Sequence, residues 1–239
     1  MRLDKCLEKA SVGSRNQVKK FLKSQQVTVD GRLARSGRQI VDPGLQVIEV
    51  CGKQVILEAP VYYLLNKPVG VVSAVSDDKH QTVIDLIAED DRRSGLYPIG
   101  RLDRDTEGLL LITNNGPLGF RMLHPKYHVE KVYYVEVNGL LADEAVSFFR
   151  EGVQFLDGTV CQPAFLEIVS AEESLSRARI RISEGKFHQV KKMFLAYGVK
   201  VTYLKRIAFG DFVLEDDVPA GSYRTLTSAE KEILKRYLD

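Results

Sequence analysis

Residues 100–116 read GRLDRDTEGLLLITNNG, and the parsing of this stretch decides the rest of the chain. Its second half, Leu109 to Thr113, is a short unbroken apolar run bounded by Gly108 and by Asn115-Gly116. A run of that length between turn signals reads as a buried β-strand, and the Asn-Gly pair predicts a tight turn at its end. The first half sets Asp103, Asp105 and Glu107 among Arg101 and Arg104. Three chemistries suit such a cluster. A calcium loop requires a chelating Glu at about the twelfth place, where Asn114 stands. A phosphatase-type aspartate pair followed by Thr106 requires an apolar strand leading into the first Asp, but Gly100, Arg101 and Leu102 precede it. The third possibility is a turn whose carboxylates cap backbone groups and pair with Arg101 and Arg104, and this is the reading for Asp105 and Glu107.

Working outward, KVYYVEV (residues 131–137) and the strictly alternating RARIRIS (177–183) read as further strands, and VYYLLNK (61–67) as one that ends at Pro68. Helical patterns cover Leu141–Arg150 and His188–Tyr197, the latter stopped by Gly198. The run from Thr82 to Ile87 predicts a brief helix, and Thr227 with Glu230 boxes the start of a last one. A break near Leu57–Pro60 sets off an N-terminal unit. In it, residues 2–10 form a short amphipathic helix and Ser14 with Gln17 opens a second. Asp30-Gly31 then turns VTVDGRLA into a hairpin, and Asp42-Pro43-Gly44 turns the chain into LQVIEV. The prediction is an α+β chain of two domains: residues 1–58, two helices and a small sheet, and residues 60–239, a mixed, mostly antiparallel sheet. The first is too small to be very stable alone and is expected to lean on the second.

Net charge is only +2, but its distribution is uneven. Residues 1–38 hold ten Lys and Arg against three acids, so a basic module sits on a slightly acidic body, as suits a polyanion-gripping appendage. Residues 184–206 hold six bases (Lys186, Lys191, Lys192, Lys200, Lys205 and Arg206) against Glu184, and these, Lys191 aside, make a candidate phosphate track. Cys6, Cys51 and Cys161 lie far apart and suggest neither a disulfide framework nor a metal knuckle. With no apolar leader or membrane-length run, the expectation is a cytoplasmic protein away from membranes. His124 and His128 flank Pro125 with no third ligand in view, so a structural or ligand-facing role suits them better than metal.

RLDKCLEKA and SRNQVKKFLKSQQVTVDG resemble the S4 RNA-binding domain. GRLDRDTEGLLLITNNG, together with NKPVG (66–70), KVYYVEV, EGKFHQVKKMFLAYG and TYLKRIAFG in that order, resembles the pseudouridine synthases. The S4-like front, GRLD and the HQVKKMF helix look most like the ribosomal small subunit group. The resemblance implies an enzyme that isomerises a uridine in ribosomal RNA, 16S rRNA or an assembling small subunit, with no cofactor and as a monomer. It implies Asp103 as the catalytic carboxylate, Tyr133 packing on the target base, Lys191 as basic partner of the aspartate and Leu204 lining the base pocket. Arg101 would contact RNA beside the flipped nucleotide, Lys186 and Lys192 would belong to the phosphate track, and Arg15, Lys19 and Lys20 would grip RNA from the S4-like helix. Many synthases carry Arg where Lys191 stands; lysine offers no bidentate fork, so a looser pairing is expected. The residue types suit the reaction. A carboxylate beside a cation can assist bond exchange at sugar or base, and an aromatic face offsets part of the few kcal/mol or so of unstacking. The alternatives are a synthase acting on 23S rRNA, a non-catalytic S4-type RNA-binding protein, and a metal-dependent phosphohydrolase built on Asp103 and Asp105.

Overall fold

Leu109 and Leu111 point to one face of a strand, Leu110 and Ile112 to the other, and all four are buried. A strand covered on both faces needs apolar residues at every position, so GLLLIT lies at the heart of a two-faced sheet. The computed structural model describes residues 1–238. In chain order its elements are α1 (Leu3–Lys9), α2 (Arg15–Lys23), β1 (Val27–Val29), β2 (Arg32–Leu33), β3 (Ile48–Val50), β4 (Lys53–Gln54), β5 (Tyr62–Lys67), β6 (Tyr97–Ile99) and β7 (Glu107–Thr113). Next come α3 (Gly116–Leu123), β8 (Lys131–Val137), α4 (Glu144–Arg150), β9 (Phe165–Ser170), β10 (Ser176–Ile182), α5 (Gln189–Tyr197), β11 (Val201–Phe209), β12 (Phe212–Val213), β13 (Tyr223–Thr225) and α6 (Ser228–Lys235).

The main sheet runs β13-β5-β7-β11-β8-β10-β9, with β6 on β7 and β12 on β11. The β7–β11 pair is parallel and the others are antiparallel. One face buries Tyr63, Leu65, Leu110 and Ile112 with Tyr133, Val135 and the helix residues Phe149 and Phe194. The other buries Tyr62, Leu64, Leu109 and Leu111 with Leu118, Met122, Phe209 and Leu234. So α4 and α5 cover one side, α3 and α6 the other: the α+β architecture read from the sequence.

In front, α1 and α2 pack with a four-stranded sheet, β2-β1-β3-β4, around Leu3, Leu7, Val18, Val27 and Ile48. The capping box at Ser14 and Gln17 is formed, and Asp30 and Gly31 both take positive φ, as a tight hairpin turn requires. The module is tied to the large domain by a buried polar joint. Asp42 accepts from the Tyr62 hydroxyl, and Asn115 Nδ2 donates to Asp42 at 2.6 Å and to the Tyr62 oxygen at 2.8 Å. Leu45 extends the second core cluster, and Ile40 packs against it.

Two local expectations are corrected. Asn115-Gly116 is no hairpin turn: the Asn115 side chain accepts from the Leu118 amide, Pro117 occupies the first turn, and α3 starts there. Thr82–Ile87 is not a helix either. The Asp85 carboxylate takes the Thr82 amide (2.8 Å) and hydroxyl (2.9 Å), closing the segment as a turn that then continues into a 3-10 turn at Glu89–Asp91.

Candidate active site

Asp103 stands on the loop between β6 and β7, and residues 67–73 pin that loop from behind. The Ser73 hydroxyl brackets Leu102, donating to its carbonyl at 2.9 Å and accepting from its amide at 3.0 Å. The Gly70 amide donates to the Arg104 carbonyl at 2.8 Å. Lys67 is fully buried, and its ammonium donates to the carbonyls of Pro68 and Thr106, both at 2.9 Å, and weakly to that of Arg104 at 3.4 Å. Burial pulls Lys67 down to about 8, opposed by the carboxylates of Asp105, Glu107 and Asp103. The NKPVG run thus gains a physical reason: its lysine fills the orphan carbonyls of the aspartate loop.

Opposite the loop, α5 delivers Lys191. Just before it, the Gln189 side chain accepts the Lys186 amide at 2.8 Å and donates to Glu184 at 2.8 Å, fixing the entry to the helix. Lys191 Nζ lies 3.1 Å from Asp103 Oδ2 and 2.6 Å from Asp105 Oδ1. Burial lowers the Lys191 ammonium, but its hydrogen bonds to Asp105 and Asp103 outweigh that and raise it. Asp105 is correspondingly held below the usual carboxylate range, since the Lys191 contact outweighs its desolvation. The expected pairing of Asp105 and Glu107 with Arg101 and Arg104 is therefore corrected. Asp105 shares Lys191, and Glu107 accepts from the Tyr203 hydroxyl at 2.8 Å. A lysine can serve two carboxylates at once because it is a point charge without a planar fork.

Asp103, Tyr133, Lys191, Leu204 and Arg101 line one cleft of about 620 Å³, together with Lys186, His124 and His128. Tyr133 and Leu204 form its buried wall, and Arg101 is exposed. Lys186 is paired with Glu184, and Lys192 with Asp157 at 3.3 Å, so both are already engaged within the chain. Arg15, Lys19 and Lys20 are solvent-exposed on α2. His188, which sequence reasoning passed over, places Nε2 3.6 Å from Asp103 Oδ1 and stacks on Phe187 with ring centroids 3.8 Å apart. Its only signal was a place three residues ahead of Lys191. Among the described residues no group of three His, Cys, Asp or Glu is arranged to hold a metal ion. No described helix is long and apolar enough to cross a membrane.

A basic module joined to a two-faced sheet, with a lysine-bridged aspartate in a cleft, fits the class of RNA-modifying enzymes. The chain belongs to the RNA pseudouridylate synthase family, whose model matches residues 61–196, with an S4 domain matched over residues 1–47. It is 41% identical to an uncharacterized RNA pseudouridine synthase of Bacillus subtilis (strain 168), over 98% of each chain. It is 38% identical to ribosomal small subunit pseudouridine synthase A of Yersinia pestis, over 96% of each. It is also 36% identical to ribosomal large subunit pseudouridine synthase B of Bacillus subtilis, over 100% of this chain and 97% of that one. A crystal structure of a pseudouridylate synthase superposes with a TM-score of 0.68 at 33% identity, over 98% of this chain and 99% of that one. The protein is an RNA pseudouridine synthase.

Proposed function

We propose that this enzyme isomerises one uridine of 16S ribosomal RNA, naked or in an assembling small subunit, acting as a cytoplasmic monomer with Asp103 as its catalytic carboxylate. The observation that carries the reading is the Asp103–Lys191 contact at 3.1 Å on the wall of a cleft that Tyr133 and Leu204 also line. Asp103 is half-buried, and a lysine beside a partly desolvated carboxylate favours its anionic form and keeps it available for chemistry. Isomerisation breaks N1–C1′ and forms C5–C1′, while the C5 hydrogen leaves as a proton and N1 gains one. No group is transferred and no electron is supplied. In this reading Tyr133 offers its ring to the flipped base, Leu204 packs beside it, and Arg101 meets the RNA at the rim. Lys186 and Lys192 would exchange their partners Glu184 and Asp157 for phosphates, and Arg15, Lys19 and Lys20 would hold the RNA from α2. The exposed Cys51 thiol suits a reducing compartment.

The small-subunit assignment draws on the likeness to the Yersinia pestis enzyme. The likeness to the Bacillus subtilis large-subunit enzyme supports 23S rRNA as a second reading. Transcripts of 16S and 23S rRNA carrying C5-tritiated uridine separate the two, with and without EDTA. Tritium release from 16S alone, unchanged by EDTA, is the expected result. Release from 23S alone supports the second reading, and release from neither transcript nor from assembling subunits carrying the same label overturns both. EDTA-sensitive turnover favours a metal-dependent reaction.

A further inference from the structure

The floor of the cleft carries polar groups that neither the fold nor the Asp103–Lys191 pair uses. Tyr133 and Arg206 sit directly opposite each other across β8 and β11, and alternate residues of a strand share a face. Lys131 and Tyr133 on β8, with Leu204 and Arg206 on β11, therefore make one wall, and all four line the cleft. Arg206 is 2% exposed. Its Nε donates to the Leu109 carbonyl at 2.8 Å, but Nη2 has no partner among the described residues. Thr106 lines the same cleft, is equally buried, and its hydroxyl also lacks a partner among the described residues. The Arg206 guanidinium lies 5.1 Å from the Phe209 ring, and the Lys131 ammonium 5.9 Å from the same ring. Lys131 is held by the Val129 carbonyl at 2.7 Å. Burial, and after it the Arg206 charge, pulls Lys131 down to about 8. Arg206 Nη2 and the Thr106 hydroxyl are both buried behind the cleft surface, and a buried polar atom without a partner is costly unless a ligand that reaches it completes it.

We propose that Arg206 and Thr106 read the polar edge of the flipped uracil, Arg206 donating to a ring carbonyl and Thr106 accepting the neighbouring N3–H, with Lys131 adding positive charge beside them. This rests on the uridine-isomerase reading and adds its base selectivity. Uracil presents carbonyl acceptors on either side of an N3–H donor. Cytosine carries an amino group in place of O4, so a guanidinium on that side would meet donor with donor, and on either side its N3 has no hydrogen to offer Thr106. A backbone phosphate is the poorer occupant, because a diester is tethered on both sides and stays at the rim, whereas Arg206 is nearly sealed on the wall that holds Tyr133.

The test compares Thr106→Val, Thr106→Ser and Arg206→Gln with the wild type in tritium release from the 16S and 23S transcripts. Thermal melting and RNA binding across a salt series complete it. Thr106→Val is nearly isosteric and should lower kcat/KM by about tenfold or more, as a site built around a hydrogen bond does when the bond is lost. Thr106→Ser should restore most of it. Arg206→Gln should lose turnover while its salt slope stays at the wild-type value, because a neutral base displaces no counterions. A slope shallower by about 0.7 in Arg206→Gln would assign the guanidinium to phosphate and overturn the proposal. So would wild-type turnover in Thr106→Val, or equal losses in the Val and Ser variants, which would mark a packing role. Should Arg206→Gln fail to fold, the Thr106 pair decides alone. A wild-type enzyme inactive on both RNAs, naked and in assembling subunits, overturns the isomerase reading and the base-edge contact with it; an active wild type with indifferent Thr106 variants sinks only the latter.

Discussion

Asp103, Lys191 and Lys67 bring three different electrostatic situations to one loop, and each has its own consequence. Asp103→Asn is close to isosteric and removes the anionic oxygen, so isomerisation should fall to background while RNA affinity and fold persist. Turnover above a trace would reassign the catalytic carboxylate. For Tyr133, the Phe variant should keep the ring and its stacking, whereas Ala should weaken binding by about 1–3 kcal/mol. Equal activity in all three proteins would make Tyr133 an ordinary core residue. Lys67 makes a pH signature. Its folded value is pulled to about 8 by burial, while in the unfolded chain it keeps its ordinary value, 10.5. Below about 8 both states are protonated and the burial cost is present in full. Between about 8 and 10.5 the unfolded chain holds more protons, so rising pH favours the folded state there. Thermal melts from pH 7 to 10 should show wild type gaining on Lys67→Met only above about 8; parallel curves would mean that Lys67 does not titrate in that window. At this scale the sequence was partly legible. The acid cluster was visible, yet nothing local told Asp103 from Asp105, and Lys191 lies 88 positions from the first and 86 from the second. The selection of Asp103 came from family resemblance. The sharing of Lys191 between two acids was invisible until the fold joined them.

Strands that keep one unbroken pattern announced themselves, and β11, whose register shifts along its length, did not. The strands β5, β7, β8 and β10 stood out through unbroken or alternating apolar patterns, whereas β11, VTYLKRIAF, mixes cations and apolar residues and was quoted only as a motif. Its mixture goes with two register shifts against β8, near Val201 and Ala208, which interrupt the alternation of faces, and with Leu204 and Arg206 lining the cleft. The helix α3 was hidden because Asn-Gly is also a hairpin signal, and Pro117 was the clue that a helix starts there. The parallel contact rests on Gly108. Its φ is +107°, and a Cβ there would collide with the backbone carbonyl and amide of Arg206. Gly108→Ala should push β7 from β11 at the very strand that carries Arg206 and Leu204. We expect a loss above about 4 kcal/mol, in the range reserved for strain at special backbone positions. A variant melting within a few degrees of wild type would show that the strand pair can give.

For the molecule as a whole, the basic front module was legible from charge and length, but its joint to the large domain was not, because Asp42 and Asn115 are 73 positions apart. The expectation that the small module leans on the large domain takes concrete form there. Deleting residues 1–58 would strip the Tyr62 hydroxyl and Asn115 of a buried carboxylate, so that truncation disturbs the catalytic domain itself. The cleaner variant is Arg15→Ala with Lys19→Ala and Lys20→Ala, three exposed positions on α2. It should flatten the salt dependence of RNA binding by about 0.7 log unit per log unit of salt for each lost phosphate contact to single-stranded RNA. It should also raise KM before it lowers kcat. An unchanged slope would remove α2 from the RNA-binding surface. The buried joint also has a geometric meaning for the substrate. If α2 grips RNA as proposed, the hydrogen bonds joining Asp42 to Tyr62 and Asn115 would set the separation of α2 from Asp103, and the enzyme would work as a caliper. On that reading a uridine would be reached where the folded RNA sets its gripped helix and its exposed base one jaw-width apart, and spacing would select the nucleotide together with the letters around it.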